Sequence, residues 1–237
     1  MGRVEYITDL MPYKIDPKNI PESPDFSFEA ALWKSGLQIV AGIDEAGRGA
    51  LAGPVAAAAL IFPPDPGLAG KLLGVNDSKL LKPEDRFRWA DRLQTIAAAW
   101  GVGFATNEEI DQIGIVPATR LAISRALEQL TCTPQHLLVD YLELPESKIP
   151  FTPLVKGDRR SLSIAAASIL AKTTRDRLLC GLDECYPGYG FAAHKGYGTT
   201  AHLAALASLG PSPLHRTSFH HRGIVHREEM KSAEKTF

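Results

Sequence analysis

The segment at residues 39–55, IVAGIDEAGRGALAGPV, constrains the fold more than any other part of this chain. It opens apolar and changes character abruptly. Asp44 and Glu45 follow Ile43, Gly47-Arg48-Gly49 come after one alanine, and Gly53-Pro54 closes the segment before a second apolar run, PVAAAALIF. This pattern reads as a strand that delivers two carboxylates into a glycine-rich turn. Neighbouring strand side chains point to opposite faces, so the strand must end near Glu45 if both acids are to serve one site. Glycines permit that ending and leave bare backbone beside the acids. Carboxylates, exposed N–H groups and an arginine suit a divalent cation meeting a phosphate. The competing reading is a solvated turn in which Arg48 pairs with Glu45. A dinucleotide-binding fingerprint is excluded, because G-x-G-x-x-G requires glycine where Ala52 stands.

Composition narrows the class. A chain of 237 residues with 45% apolar and 22% charged content can fill a real core. The net charge of −1 provides no global basic field, so any nucleic-acid contact must come from a local patch. Three cysteines (Cys132, Cys180, Cys185) lack C-x-x-C or zinc-ligand spacing and read as reduced thiols of a cytoplasmic protein. No apolar run suits a signal peptide or a membrane span, so no membrane partner is expected.

Residues 1–36 are dotted with Pro12, Pro17, Pro21 and Pro24 and show no periodicity; they read as an N-terminal extension, draped on the domain or partly disordered. Strands are predicted at 37–44, 54–62, 101–105, 135–141 and 151–155, the first two paired antiparallel. Helices are predicted at 83–100, 117–130, 161–182 (Ser161 as N-cap) and 200–209. The order implies a catalytic domain over 37–185 and a helical extension with a basic, histidine-rich tail over 186–237. A meander followed by alternating strands and helices predicts a mixed five-stranded sheet flanked by helices.

Asp44, Asp140 and Asp158 each fall at or just after a predicted strand end, where such sheets gather functional groups. Oxygen-only ligands are what magnesium takes, and phosphodiester hydrolysis uses two such cations about 4 Å apart. Asp176 is the rival to Asp158 as a fourth acid. A continuous helix over 161–176 separates its ends by roughly 22 Å, so both cannot ligate one centre. The geometry favours Asp158, leaving Asp176 to pair with Arg175 or Arg177. Positions 168, 172 and 175 share a helical face, so Ser168 and Lys172 are expected to reach one backbone phosphate.

Taken together, GIDEAGRG at 42–49, NDSK at 76–79, VD at 139–140, KGD at 156–158, IAAASILAKTTRD at 164–176, HKGYGT at 194–199 and PLHRTSF at 213–219 resemble bacterial ribonuclease HII. The resemblance spans about residues 38–222 with motifs in the same order. It implies an RNase H-like sheet with a C-terminal helical extension, in a monomer acting on RNA–DNA hybrids and on duplex DNA carrying single ribonucleotides. Cleavage is expected on the 5′ side of the ribonucleotide, leaving 3′-hydroxyl and 5′-phosphate, with Mn²⁺ or Mg²⁺ as cofactor. The implied metal-binding and catalytic acids are Asp44, Glu45, Asp140 and Asp158. Gly47, Arg48 and Gly49 are implied to read the 2′-hydroxyl, a group that distinguishes RNA from DNA. Tyr197 is implied to stack at the RNA–DNA junction, and Lys79, Ser168 and Lys172 to contact substrate. One departure stands beside the third acid: the family commonly has glycine where this chain has Tyr141, which must either narrow the site or turn its ring outward.

Overall fold

The computed structural model describes residues 20–219. Most of the proline-dotted extension and the histidine-rich tail beyond Phe219 therefore lie outside the described residues. Five strands form one mixed sheet: β1 (Val40–Ala46), β2 (Val55–Ile61), β3 (Ala99–Ala105), β4 (His136–Asp140) and β5 (Phe151–Leu154), ordered β3-β2-β1-β4-β5. The first three make the predicted antiparallel meander, and β4 and β5 run parallel to β1. The helices are α1 (Ser27–Lys34), α2 (Pro83–Ile96), α3 (Asn107–Ile113), α4 (Ile115–Glu128), α5 (Leu162–Asp183), α6 (Phe191–His194) and α7 (Thr200–Leu209). Among the described residues no helix is long and apolar enough to cross a membrane.

Strand alternation divides the core in two. On β2, Ala58 and Leu60 face a core with Leu138, Ile164, Ala165 and Ile169, whereas Ala57, Ala59 and Ile61 face one with Ala118, Ala122 and Ala126. Helix α5 thus covers one face and α4 the other. Small residues let both helices come close. A Cβ on Gly42 of β1 would lie 2.1 Å from the Ser163 carbonyl carbon, and one on Gly103 of β3 would lie 2.2 Å from the Ala122 oxygen. At these two crossings the helix backbone lies directly on the strand.

Two local readings change. Helix α2 stops at Ile96 rather than continuing to Trp100. Ala97 is extended, the Ala98 N–H donates to the Ile61 carbonyl, and Ala99 begins the pairing with β2. Alanine is the best helix former, so nothing local marks this end; the sheet's hydrogen bonds decide it. The extension also contains helix α1, which buries Phe26, Leu32 and Trp33. Its inward face includes the charged Glu29, which broke the apolar period that would have revealed it.

Over-packing a close-packed contact costs about 1–3 kcal/mol, occasionally more. Gly42→Ala puts its methyl against α5 backbone, so chemical denaturation is expected to show a loss at or above the top of that range. An unchanged unfolding midpoint would mean that α5 can move off β1 freely.

Candidate active site

Parallel pairing brings two acids together. β1 and β4 are in register at Ile43–Val139, so the next residues, Asp44 and Asp140, leave adjacent strands at the same edge. Asp158 joins them from the short 3₁₀ turn Gly157–Arg159 that follows β5. One carboxylate oxygen from each of Asp44, Asp140 and Asp158 lies within 4.8 Å of the others. The Asp140 Oδ1 accepts the Gly157 N–H at 2.7 Å, locking the turn to the end of β4. The Asp44 Oδ1 accepts the Glu45 N–H at 2.7 Å. Asp158 Oδ1 is buried with no hydrogen-bond partner, the kind of orphan that a cation would satisfy.

The cluster is held against its own charge. Burial, then repulsion from Asp140 and Glu45, pushes the Asp44 carboxyl well above the ordinary aspartate range, and the Ser168 hydroxyl offsets part of this. Burial raises Asp140 to about 6, with Glu45 adding. Burial and Asp140 raise Asp158 to about 6. Carboxylates this close in a low-dielectric site resist ionising together. The donor set is all oxygen, unpaired at one atom and electrostatically frustrated, so it fits a magnesium-type ion.

Glu45 lies outside the close group of three. Strand β1 runs on to Ala46, past both acids, so Asp44 and Glu45 diverge as strand alternation requires. The Glu45 carboxylate instead accepts from the Arg48 guanidinium at 3.1 Å, although its charge still reaches Asp44 and Asp140. Lys79 places its ammonium 3.8 Å from Asp158 Oδ2 and 4.0 Å from Asp77 Oδ1, largely exposed at the mouth of the cluster.

Ser168 is only 2% exposed; it shares a 2.9 Å hydrogen bond with Ser78 and its hydroxyl also serves Asp44. One expected pairing differs. Asp176 does not pair with Arg175 or Arg177. It accepts from Lys172 at 2.8 Å and from Arg86 at 2.9 Å. Helix neighbours at i±1 point elsewhere, whereas Lys172, at i−4, lies on the same face.

The glycine-arginine-glycine turn is held by a residue that the sequence reading passed over. Arg216 is fully buried and donates to the carbonyls of Gly47 (2.7 Å), Arg48 (2.8 Å) and Gly53 (3.0 Å). Because a trans peptide sets its N–H opposite its C=O, the N–H groups of Arg48 and Gly49 point away from Arg216. Gly47 has φ +91°, and a Cβ there would sit 2.0 Å from Arg175 Nε. Arg175, also fully buried, donates to the carbonyls of Pro54 (2.8 Å), Ala52 (3.1 Å) and Lys195 (2.9 Å). Burial, with Arg175 adding, lowers Arg216 to about 9, still charged at neutral pH. Both arginines lie in quoted motifs, TTRD and LHRTSF, but nothing in one sequence separates a buried brace from a phosphate-binding cation.

Tyr197 follows Gly196, whose carbonyl accepts the Leu51 N–H at 2.8 Å just beyond that turn. Lys172 Nζ lies 5.0 Å and the Arg175 guanidinium 5.4 Å from its ring centre. Its carbonyl accepts from His202 Nδ1 at 2.9 Å. The Ser212 N–H donates to His215 Nδ1, which leaves the His215 Nε2–H to donate to His202 Nε2 at 3.0 Å. Each imidazole in this chain can thus be neutral, and together they fix the Tyr197 peptide. Tyr141 has φ +50°, in the left-handed region that glycine tolerates best, and its side chain is 60% exposed. An exposed ring is turned to solvent rather than packed into the site.

Comparisons with known proteins identify the family and the fold. The family model for Ribonuclease HII matches residues 41–222. The ribonuclease HII of Chloroflexus aurantiacus is 54% identical over 200 residues, covering 83% of this chain and 93% of that protein. The ribonuclease HII of Dehalococcoides mccartyi is 50% identical over 197 residues, covering 83% and 92%. Among solved structures, the ribonuclease H2 of Pyrococcus horikoshii superposes with a TM-score of 0.64 at 27% identity, covering 76% of this chain and 93% of its own. On the matched residues and the shared mixed sheet, this chain belongs to the ribonuclease HII family and is a type 2 ribonuclease H.

Proposed function

We propose that this enzyme hydrolyses the RNA strand of RNA–DNA hybrids and also incises duplex DNA on the 5′ side of single embedded ribonucleotides, leaving 3′-hydroxyl and 5′-phosphate ends. The observation that carries the reading is the convergence of Asp44, Asp140 and Asp158 within 4.8 Å, beside a turn whose N–H groups point away from Arg216. Asp44, Asp140 and Asp158, with Glu45 at the rim, would hold two divalent cations, Mg²⁺ or Mn²⁺. When bound, such cations supply a water nucleophile at neutral pH and relieve charge on the leaving oxygen.

The rest is work for this chain's own groups. The N–H groups of Arg48 and Gly49 are placed to bond a 2′-hydroxyl, which deoxyribose lacks. Arg216, by taking the carbonyls on the opposite side, keeps those donors aimed. The Tyr197 ring offers a flat face to the sugar on the DNA side of the junction. Lys79, Lys172 and Arg48, each paired with a carboxylate in the free protein, are the cations assigned to meet the phosphate backbone. Because the Tyr141 ring is turned to solvent, a hybrid-binding protein blocked at its centre is the weaker reading.

Three outcomes are expected. Duplex DNA with one ribonucleotide should be nicked 5′ to it only when Mg²⁺ or Mn²⁺ is present, while the all-DNA duplex stays intact. Equal cleavage of both would instead mark a DNA nuclease. Asp44→Asn should reduce cleavage by at least about 10³-fold, since a metal ligand of the reacting centre contributes several kcal/mol. Circular dichroism should show its fold retained, and undiminished turnover would remove Asp44 from the centre.

The third expectation concerns pH. Asp140 and Asp158 are raised from 3.8 to about 6, so folding binds protons there. Their contribution is fully present below the unfolded value and is lost as pH rises through about 6. A bound cation favours the ionised forms and reverses that loss. Added Mn²⁺ should therefore raise the melting temperature more at about pH 8 than at about pH 5, and equal shifts would contradict the assignment of these acids as ligands.

A further inference from the structure

We infer that Glu29, on a helix N-terminal to the family match, is a positioning residue that sets the Asp158 turn and thereby the cation affinity of the carboxylate cluster. The inference rests on the metal-site reading above. Nothing in the matched span, 41–222, includes Glu29 or its helix.

Asp158 is the acid with the least obvious support. Asp44 and Asp140 lie within hydrogen-bonded strands, whereas Asp158 rides a three-residue turn entered through Lys156 at φ +55°. On its upstream side the turn is tied to Asp140 through the Gly157 N–H. On its downstream side it runs into Ser161, the N-cap of α5, and there residues 25–29 grip it. The Leu162 N–H donates to the Asp25 carbonyl at 3.0 Å, and the Asp25 N–H to the Arg160 carbonyl at 3.5 Å. Glu29 Oε1 accepts the Ser161 hydroxyl at 2.6 Å and the Ser163 N–H at 2.9 Å. The Arg160 guanidinium lies 4.9 Å from the Phe28 ring centre.

The serine bond gives the contact its direction. Ser161 has one hydroxyl proton, and Glu29 takes it. The Ser161 oxygen is left to accept the Ile164 N–H at 3.2 Å, the capping bond that starts α5. Glu29 therefore orients the cap, the cap fixes where α5 begins, and Asp158 sits three residues upstream. A positive helix end beside it favours the carboxylate. Yet Glu29, Ser161 and Ser163 are all fully buried, and Glu29 Oε2 has no hydrogen-bond partner. Burying a half-satisfied acid is costly compared with an apolar side chain. The arrangement makes physical sense as a geometric constraint on the turn rather than as packing. Partners that orient metal ligands at one remove typically change affinity by about 10–100-fold when removed.

The test uses the full-length protein and Mn²⁺ alone, titrated by calorimetry, with amide exchange followed at residues 157–163 in metal-free protein. Glu29→Ala is expected to weaken Mn²⁺ binding by about tenfold or more and to speed exchange across that segment. Glu29→Gln keeps an accepting oxygen and should stay near wild type on both. Leu32→Ala removes a buried apolar side chain of the same helix without touching these bonds; it should lower the melting temperature and leave both readouts unchanged. Wild-type Mn²⁺ affinity in Glu29→Ala, or an equal loss in Leu32→Ala, would overturn the proposal. If Glu29→Ala does not fold, Glu29→Asp, which withdraws the carboxylate by one methylene, carries the same expectations. If the wild-type chain binds no Mn²⁺, the metal-site reading fails, and the exchange rates alone decide whether Glu29 holds the turn.

Discussion

The parallel pairing of β1 with β4 is the constraint on which the site depends. Register alone brings Asp44 and Asp140 to the same edge, and the chain must then supply only one more acid from the loop after β5. The arrangement works against stability. Two adjacent strands and a tight turn hold like charges together where water cannot screen them, which is why the carboxyls resist ionisation. A fold that concentrates repulsion at one edge needs that edge to be rigid, and much of the surrounding structure can be understood as meeting this need.

Two buried guanidiniums do much of the stiffening. Arg175 and Arg216 reach six backbone carbonyls on three segments, with no carboxylate among those six partners. Carbonyls of tight loops have no strand or helix to bond them, and leaving them unpaired would cost more than burying a delocalised cation. The planar fork also distinguishes arginine from lysine here, because three divergent acceptors cannot be served by a single ammonium point. One result is that the loop after β1 and the loop carrying Tyr197 form a single braced body, although some 150 residues separate them in sequence.

Much of this was legible before any coordinates. Strand ends marked Asp44, Asp140 and Asp158, and the length of one helix was enough to separate Asp158 from Asp176. What escaped shares a physical reason. Helix α1 hides because its buried face includes an acid; α2 ends where a distant strand claims its continuation; the two arginines wear the same residue type as substrate contacts. In each case the deciding partner is remote in sequence, at Ser161, at Ile61 or at the carbonyls of a glycine turn. A periodic pattern reports which way a side chain faces, but a polar group's role depends on what it meets there. Glu45 is the intermediate case: the strand was expected to end near it so that both acids share one site, but β1 runs on to Ala46 and alternation turns Glu45 toward Arg48.

The close approach of α4 and α5 to the sheet gives the molecule an asymmetric tolerance to change. Ala56, Ala57, Ala58 and Ala59 of β2 meet Ala118, Ala122 and Ala126 on one side and Ala165 and Ala166 on the other, all fully buried. Such a centre has almost no side-chain volume to lose, so truncation opens little cavity. Any gain in volume must be met by moving a helix axis rather than by turning a rotamer. At these alanine positions exchange is thus confined to the smallest residues, while Ile43, Leu60, Leu137 and Leu138 fill the core around them. The protein's middle behaves less like a packed liquid of side chains than like two backbones laid directly on a third.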